Sequence, residues 1–326
     1  MPSKLLRNGW SKPSPKHQHL WPLDGRRAGL GIVARVTSLR SRLAAGERIL
    51  IDGGTGSEVE RQGAEMISGA WSGATAITHP DIVRSVHEQF IHSGAEVIFS
   101  NTYASSRHVL AQVGREHQFE EMNRAGVRLA VEARENANAP HVVISGSMST
   151  TEQGGEFPPH DVALRNYVDQ AKIQVDAGAE MLTLEMMRNL ETTRTILEAT
   201  KDTGVPLWIG MSCIITPDGP RLVYEGSLVE AIRMLDDYNI ELLAIMHTET
   251  DDIDACLDVV DEHWDGPVGV YAQVGDWNGT NWFYDDTVTP EKHAELNAGW
   301  VERGVQVIGG CCGIGPEHIQ AMQRLI

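Results

Sequence analysis

Three residues of this chain have the types and spacing that could hold a catalytic metal ion. Cys311 and Cys312 are adjacent within the glycine-rich stretch 309–313, and His247 follows an earlier apolar run. Thiolate and imidazole are preferred Zn²⁺ ligands, and three protein ligands with one open position are typical of catalytic zinc. The flanking glycines allow a sharp turn, so that two consecutive side chains can converge on one ion. The pattern predicts a zinc centre made by His247, Cys311 and Cys312.

The other two cysteines, Cys213 and Cys256, stand in apolar contexts. Free cysteine is among the most buried residue types, so we predict that both are core or helix thiols and not ligands. His87 lies within a helical pattern and is predicted to be a structural, hydrogen-bonding histidine, not a catalytic base.

Short β-rich apolar runs recur along the chain with helical patterns between them, which is typical of repeated βα units around a parallel sheet. Eight strands are predicted, at residues 48–51, 96–101, 141–145, 181–185, 207–211, 242–246, 268–271 and 305–308. Helices are predicted at about 80–93, 119–136, 162–177, 190–200, 228–237, 252–263, 290–303 and 316–325. We therefore expect a single TIM-type (β/α)8 barrel over residues 46–326.

Active sites of such barrels lie on the loops that follow the carboxyl ends of the strands. Polar or glycine-rich segments stand at these places in the predicted elements. They contain Asp52, Gly53, Gly54, Asn101, Thr102, Tyr103, Glu185, His247, Tyr271, Gly309, Gly310, Cys311, Cys312 and Gly313. These side chains are expected to gather around one opening of the barrel.

Several motifs together resemble the homocysteine S-methyltransferase family, which includes betaine- and S-methylmethionine-dependent enzymes. They are Asp52-Gly53-Gly54 with Glu58, the stretch from His87 to Tyr103, Glu185 at a strand end, and Gly-Gly-Cys-Cys-Gly before Pro316-Glu317-His318-Ile319. The resemblance covers roughly residues 46–326. It implies a zinc-dependent transfer of a methyl group from a small cationic donor to a thiol, homocysteine, which gives methionine.

The resemblance also implies roles for individual residues. Asp52 and Glu185 match acids that hold the amino group of homocysteine, and the backbone of Gly53 and Gly54 matches a segment near its carboxylate. Tyr103 matches a tyrosine near the methyl donor, so Asp52, Glu185 and Tyr103 are the expected catalytic group. Asn101 and Tyr271 are assigned to substrate binding. The loop after Tyr271 departs from the family's usual Tyr-Pro-Asn.

His247 is a second departure, because the family has a third zinc-binding cysteine at the matching position. With a substrate thiolate bound, one neutral histidine and two cysteines give one net negative charge, where three cysteines would give two. A less negative site should bind the thiolate more tightly and leave it less nucleophilic. A different thiol or methyl donor therefore stays open as an alternative.

The composition of the chain restricts the kinds of partner that it is expected to bind. The formal net charge of −18 disfavours binding to nucleic acid and to anionic lipid, and no run of apolar residues is long enough for a membrane span. We expect a cytoplasmic enzyme whose partners are a small-molecule thiol and a methyl donor; a homo-oligomer stays open. Residues 1–45 contain nine Lys and Arg residues and one acid, and are predicted to form a basic N-terminal arm.

Residues 276–286 are rich in aromatic and acidic side chains. They form either a surface loop over packed aromatics or a cage for a cationic methyl donor, and their place after the seventh strand favours the cage. Two other functions stay open: zinc-dependent hydrolysis, which the adjacent cysteines disfavour because hydrolases more often use histidine and carboxylate ligands, and a redox or zinc sensor built on Cys311 and Cys312.

Overall fold

The computed structural model describes residues 26–152, 155–277, 282–283 and 288–326. Eight parallel strands form its central sheet: β1 (Ile49–Leu50), β2 (Val97–Phe99), β3 (Val143–Ser149), β4 (Met181–Met187), β5 (Leu207–Met211), β6 (Ile240–Glu249), β7 (Val268–Gln273) and β8 (Val307–Ile308). The strand order is β1-β8-β7-β6-β5-β4-β3-β2, and a parallel bridge between Ile51 and Val97 joins the two ends. The predicted (β/α)8 barrel is confirmed.

The outer layer consists of helices that follow the strands in turn. After the N-terminal helix α1 (Arg26–Ala44) they are α2 (Pro80–His92), α3 (Phe119–Asn136), α4 (His160–Ala177), α5 (Leu190–Thr200), α6 (Leu228–Met234), α7 (Ile253–His263), α8 (Pro290–Arg303) and α9 (Pro316–Met322). Proline stands at the first position of α2, α8 and α9. It is common there because an N–H at this position would have no hydrogen-bond acceptor within the helix. None of the helices in the described part combines the length and apolarity of a membrane span.

Helix α1 lies against the amino-terminal end of the barrel. Its Leu39 and Leu43 are buried in one cluster with interior residues of the strands. Arg35 donates to the fully buried carboxylate of Glu180, which directly precedes β4, with Nε–Oε1 at 3.0 Å. Arg40 pairs with Glu241 at the start of β6, with Nε–Oε1 at 2.8 Å. This part of the basic segment therefore covers the end of the barrel opposite the predicted site. The boundary at residue 45 stays a prediction.

Other segments lie outside the repeated pattern, among them the short helices Thr75–Thr78 and Arg107–Gln112 and the paired strands Asp276–Trp277 and Trp282–Phe283. Strands at Cys213–Thr216 and Gly219–Leu222 form an antiparallel hairpin after β5, and a short helix spans Thr55–Arg61 after β1. The sequence reasoning did not predict them. Such additions at the carboxyl ends of barrel strands shape the active-site opening.

Candidate active site

A cavity of about 860 Å³ lies at the carboxyl ends of the strands. All the residues predicted to act in catalysis, substrate binding or metal binding line it except Asp52, which is buried next to Gly53. They are Gly53, Gly54, Asn101, Tyr103, Glu185, His247, Tyr271, Cys311 and Cys312. The barrel thus brings together residues from both ends of the sequence, as expected; what each of them does stays a prediction.

His247, Cys311 and Cys312 form a group that could hold a metal ion, since their ligand atoms all lie within 4.8 Å of one another. Cys311 Sγ is 3.5 Å from His247 Nδ1 and 3.9 Å from Cys312 Sγ. Tetrahedral Zn²⁺ with usual bond lengths separates two sulfurs by about 3.8 Å and a sulfur and a nitrogen by about 3.6 Å. The spacing and the chemistry of the three donors fit zinc.

A β-bulge turns His247 toward the cysteines. The register of β6 against β7 shifts between Met246 and Glu249, and His247 has φ of 45°. A non-glycine residue in this left-handed region carries backbone strain, which is common where a side chain is re-aimed at a functional site. Strand β4 repeats this arrangement, with Met186 at φ of 57° beside Glu185.

Two glycine-containing loops meet beside Cys311. A Cβ on Gly53 would lie 2.2 Å from the carbonyl oxygen of Ile314, and Gly313, at φ of 81°, faces the carbonyl oxygen of Val274. Gly54 N donates to Ile314 O at 2.9 Å. The loop after β1 and the loop after β8 therefore pack backbone to backbone, which glycine permits and a side chain would prevent.

Gly53→Ala should disturb this packing. The added methyl must displace backbone, so we expect the free energy of unfolding to fall by about 1–3 kcal/mol and the substrate to bind more weakly. Gly299→Ala is the matched control, because Gly299 lies in α8 with open space around its Cα. It should stabilise the protein by about 0.5–1 kcal/mol. Urea denaturation of both variants measures the difference, and equal stabilities would contradict this account of the turn.

Asp52 and Glu185 are buried acids, 1% and 7% exposed, that make no salt bridge within the described residues. Burial raises the pKa of Glu185 to about 7, although a hydrogen bond from Ser147 Oγ partly opposes this. Burial, reinforced by the charge of Glu185, raises the pKa of Asp52 well above its ordinary value, against a 2.8 Å hydrogen bond from Phe99 N. A cation bound beside the two carboxyl groups would favour their ionised forms, so the pair is suited to binding a positively charged group.

Three other predicted residues differ in their surroundings. Asn101 is buried and donates to Thr75 Oγ1 at 2.7 Å, so its amide supports the cavity wall. Tyr271 packs edge-on against Phe99, and its buried hydroxyl has no hydrogen-bond partner among the described residues. Tyr103 faces the cavity and packs edge-on against Trp71, with ring centroids 6.3 Å apart.

The structure adds cavity residues that the sequence reasoning did not single out. Trp71 lies in a segment without a strand or helix signature, and Arg188 lies three residues beyond Glu185. Arg188 bonds Tyr224 Oη at 2.7 Å and Glu152 at 2.5 Å. The position of Arg188 just after a strand end was a usable signal, whereas nothing local marks Trp71.

The predictions for the other cysteines and for His87 had different outcomes. Cys213 and Cys256 are buried free thiols, which agrees with the prediction. His87 is fully buried, but neither ring nitrogen has a hydrogen-bond partner among the described residues, so the predicted hydrogen-bonding role was wrong. It lies within α2, and burial lowers its pKa to about 4. The side chains of residues 276–286 lie outside what the structure describes.

The fold and the site define a (β/α)8-barrel enzyme whose cavity joins three residues that could hold a metal ion to a pair of buried acids. The family profile of homocysteine S-methyltransferases matches residues 49–326. This chain belongs to that family and is a methyltransferase.

Relatives support this assignment over most of the chain. Homocysteine S-methyltransferase 1 of Zea mays is 25% identical over 311 residues, which cover 86% of this chain and 95% of the relative. Homocysteine S-methyltransferase YbgG of Bacillus subtilis is 24% identical over 83% of this chain and 92% of its own length. The metallated homocysteine methyltransferase MmuM from Escherichia coli shares the fold, with a TM-score of 0.75 at 21% identity over 88% of this chain and 99% of that one.

Proposed function

We propose that this enzyme transfers a methyl group from a small cationic donor to the thiol of homocysteine and so forms methionine, with zinc held by His247, Cys311 and Cys312. The observation that carries the proposal is the juxtaposition of these three ligands with the buried acids Asp52 and Glu185 in one cavity. A zinc ion bound there would lower the pKa of a coordinating thiol and keep it as thiolate at neutral pH.

The acids would hold the substrate's ammonium group. A positive charge next to Asp52 and Glu185 offsets the cost of ionising two buried carboxylates, so an amino acid fits this site better than a neutral thiol. The contact fixes one end of the substrate and directs its sulfur toward the ligands. The cavity is also large enough for a second small molecule, at about 860 Å³.

The donor would bind on the aromatic side of the same cavity. Sulfonium and quaternary ammonium groups are attracted to aromatic faces, and Trp71 and Tyr103 both line the wall. Glu60, Glu152 and Glu249 line it as well and add negative charge. In the reaction the acceptor thiol, having lost its proton, forms a new bond between its sulfur and the methyl carbon, while the bond from that carbon to the donor's cationic centre breaks and its electron pair leaves that centre neutral.

We place this reaction in the cytoplasm. The site needs two reduced cysteines, and a reducing compartment keeps adjacent thiols available for a metal. All four cysteines of the chain are free thiols, which is consistent with this placement.

The test is zinc content together with methionine formation from homocysteine. S-methylmethionine, glycine betaine and dimethylsulfoniopropionate are supplied separately as donors. We expect one zinc per chain and methionine from one of them. Zinc without turnover would indicate a different thiol or donor and would connect that change to His247. The absence of zinc from the folded protein would refute the metal-dependent mechanism.

A further inference from the structure

The loop that carries the paired cysteines is rich in glycine. Residues 309–315 include Gly309, Gly310, Gly313 and Gly315. Glycine loses more conformational freedom on folding than any other residue. This loop therefore needs anchors if Cys311 and Cys312 are to stay in place.

Backbone bonds supply part of the anchoring. Cys311 N donates to Ala272 O at 3.0 Å, and Val274 N donates to Cys312 O at 3.0 Å. Gly310 N donates to Asp52 O at 3.1 Å. These contacts tie the middle of the loop to β7 and to the loop after β1. They leave the carbonyl of Gly309 and the N–H of Gly315, near the two ends of the loop, to be bonded by other groups.

Two buried histidines bond these two groups. His293 of α8 has its Nε2 3.1 Å from Gly309 O, and His318 of α9 accepts from Gly315 N at Nδ1, at 3.3 Å. The rings pack edge to face with centroids 5.9 Å apart. One histidine therefore holds the start of the loop and the other holds its end.

The partners define the tautomer of each ring. A carbonyl only accepts, so His293 carries its proton on Nε2, and burial lowers its pKa to about 4, which keeps it neutral. A backbone N–H only donates, so Nδ1 of His318 is unprotonated, and its Nε2 donates to Val288 O at 3.0 Å. Val288 lies two residues before α8 begins. His318 thus also steadies the start of the helix that carries His293.

We propose that His293 and His318 are positioning residues that clamp the two ends of the loop bearing Cys311 and Cys312 and so preorganise the metal site. The inference rests on the proposed function, because it assumes that the group binds zinc. Partners that orient ligands without touching the metal typically contribute about 10–100-fold to metal affinity. Neither histidine touches substrate or metal in this account, so the effect should appear first in metal binding.

The experiment compares zinc affinity, by competition with a chromophoric chelator, and the visible spectrum of the Co²⁺-substituted full-length protein. His293→Leu and His318→Leu should weaken zinc binding by about 10–100-fold and alter the Co²⁺ ligand-field bands. His293→Gln, whose amide can still donate to Gly309 O, and His318→Asn, which can still accept from Gly315 N, should recover most of the affinity. Recovery of this kind would not follow from loss of packing alone.

His87→Leu is the matched control, since His87 is as fully buried as His293 and lies in an outer helix, α2. It should leave zinc affinity unchanged. The proposal is overturned if the folded His293→Leu and His318→Leu variants bind zinc within about twofold of His87→Leu. If the leucine variants do not fold, His293→Asn replaces them, because its shorter amide cannot reach Gly309 O. Zinc affinity of His293→Asn within about twofold of that of His87→Leu would then overturn the proposal. A wild-type protein that binds no zinc would refute the proposed function instead.

Discussion

His247→Ala is expected to lower zinc affinity and kcat/KM by more than about 100-fold, since even residues that only orient a ligand contribute about 10–100-fold. The variant removes one of the three proposed zinc ligands and leaves only the thiols of Cys311 and Cys312. Zinc content by atomic absorption and methionine formation measure the two effects. Cys256→Ala, which removes a buried thiol outside the cavity, should retain both. Full metal content in His247→Ala would exclude His247 as a ligand.

Two further substitutions separate the ligand from the backbone at this position. Asparagine tolerates the left-handed conformation that His247 adopts at φ of 45°, so His247→Asn should fold normally and still lose zinc. His247→Cys should keep zinc and add one negative charge to the site. We expect the acceptor thiol to bind less tightly, with a higher KM, and to react faster in a single turnover. Unchanged values of both would refute the charge argument.

Glu185→Gln is expected to lower kcat/KM by about 30- to 5,000-fold at pH 8, which corresponds to the roughly 2–5 kcal/mol lost when one partner of a buried charge pair is truncated. The amide keeps the shape and removes the charge that would face the substrate's ammonium. Glu262→Gln is the control, since Glu262 is an exposed glutamate of α7 that does not line the cavity. Initial rates over a range of homocysteine concentrations give kcat/KM for each variant, and equal losses in the two would contradict a specific role for Glu185.

The pH profile tests the same assignment independently. The pKa of Glu185 is about 7 in the folded protein, so kcat/KM should fall as the pH drops below about 7 and the carboxylate takes up a proton. The charge of Glu185 also contributes to the raised pKa of Asp52. Ser147→Ala removes a hydrogen bond that lowers the pKa of Glu185, and should move this limb of the profile to higher pH. In Glu185→Gln the limb should flatten.

Stability should change in the opposite direction to activity. A carboxyl whose pKa is raised by folding binds its proton more strongly in the folded state, so its ionisation destabilises the fold as the pH rises from about 4 to above 7. Glu185→Gln removes that cost, on the order of 3 kcal/mol above pH 7. A more stable but inactive variant would show that Glu185 is retained for binding. A destabilised variant would mean that the glutamine cannot keep the contacts of the buried carboxylate.

Much of the fold was predictable because buried barrel strands and amphipathic helices have distinct periods. Strand β5 and helices α3, α5 and α8 have the predicted limits, and other strand limits differ by a few residues. Strand β6 runs to Glu249 instead of 246, since a bulge continues the pairing past His247. Helix α1 was not predicted as a helix, because its apolar residues are buried only when the helix packs against the amino-terminal end of the barrel.

Some residues of the site could likewise be predicted from the sequence, and others could not. The adjacent cysteines and the acid-bearing strand ends are visible in the sequence, because a parallel barrel brings the carboxyl ends of all its strands to one opening. Trp71 could not be assigned, since its place in the cavity depends on how a loop without a regular pattern folds over the barrel. The error at His87 has a related cause, because a helical pattern predicts burial but not the presence of a partner.

The sequence by itself determined the number of βα units, the family and the kinds of side chain that meet at the opening. These follow from chemistry and periodicity that are local in the chain. Only the tertiary structure decided the separations of the three ligand atoms, the left-handed turn at His247 and the raised pKa values of Asp52 and Glu185. Distance and desolvation depend on atoms that are far apart in sequence, and so become defined only when the barrel closes.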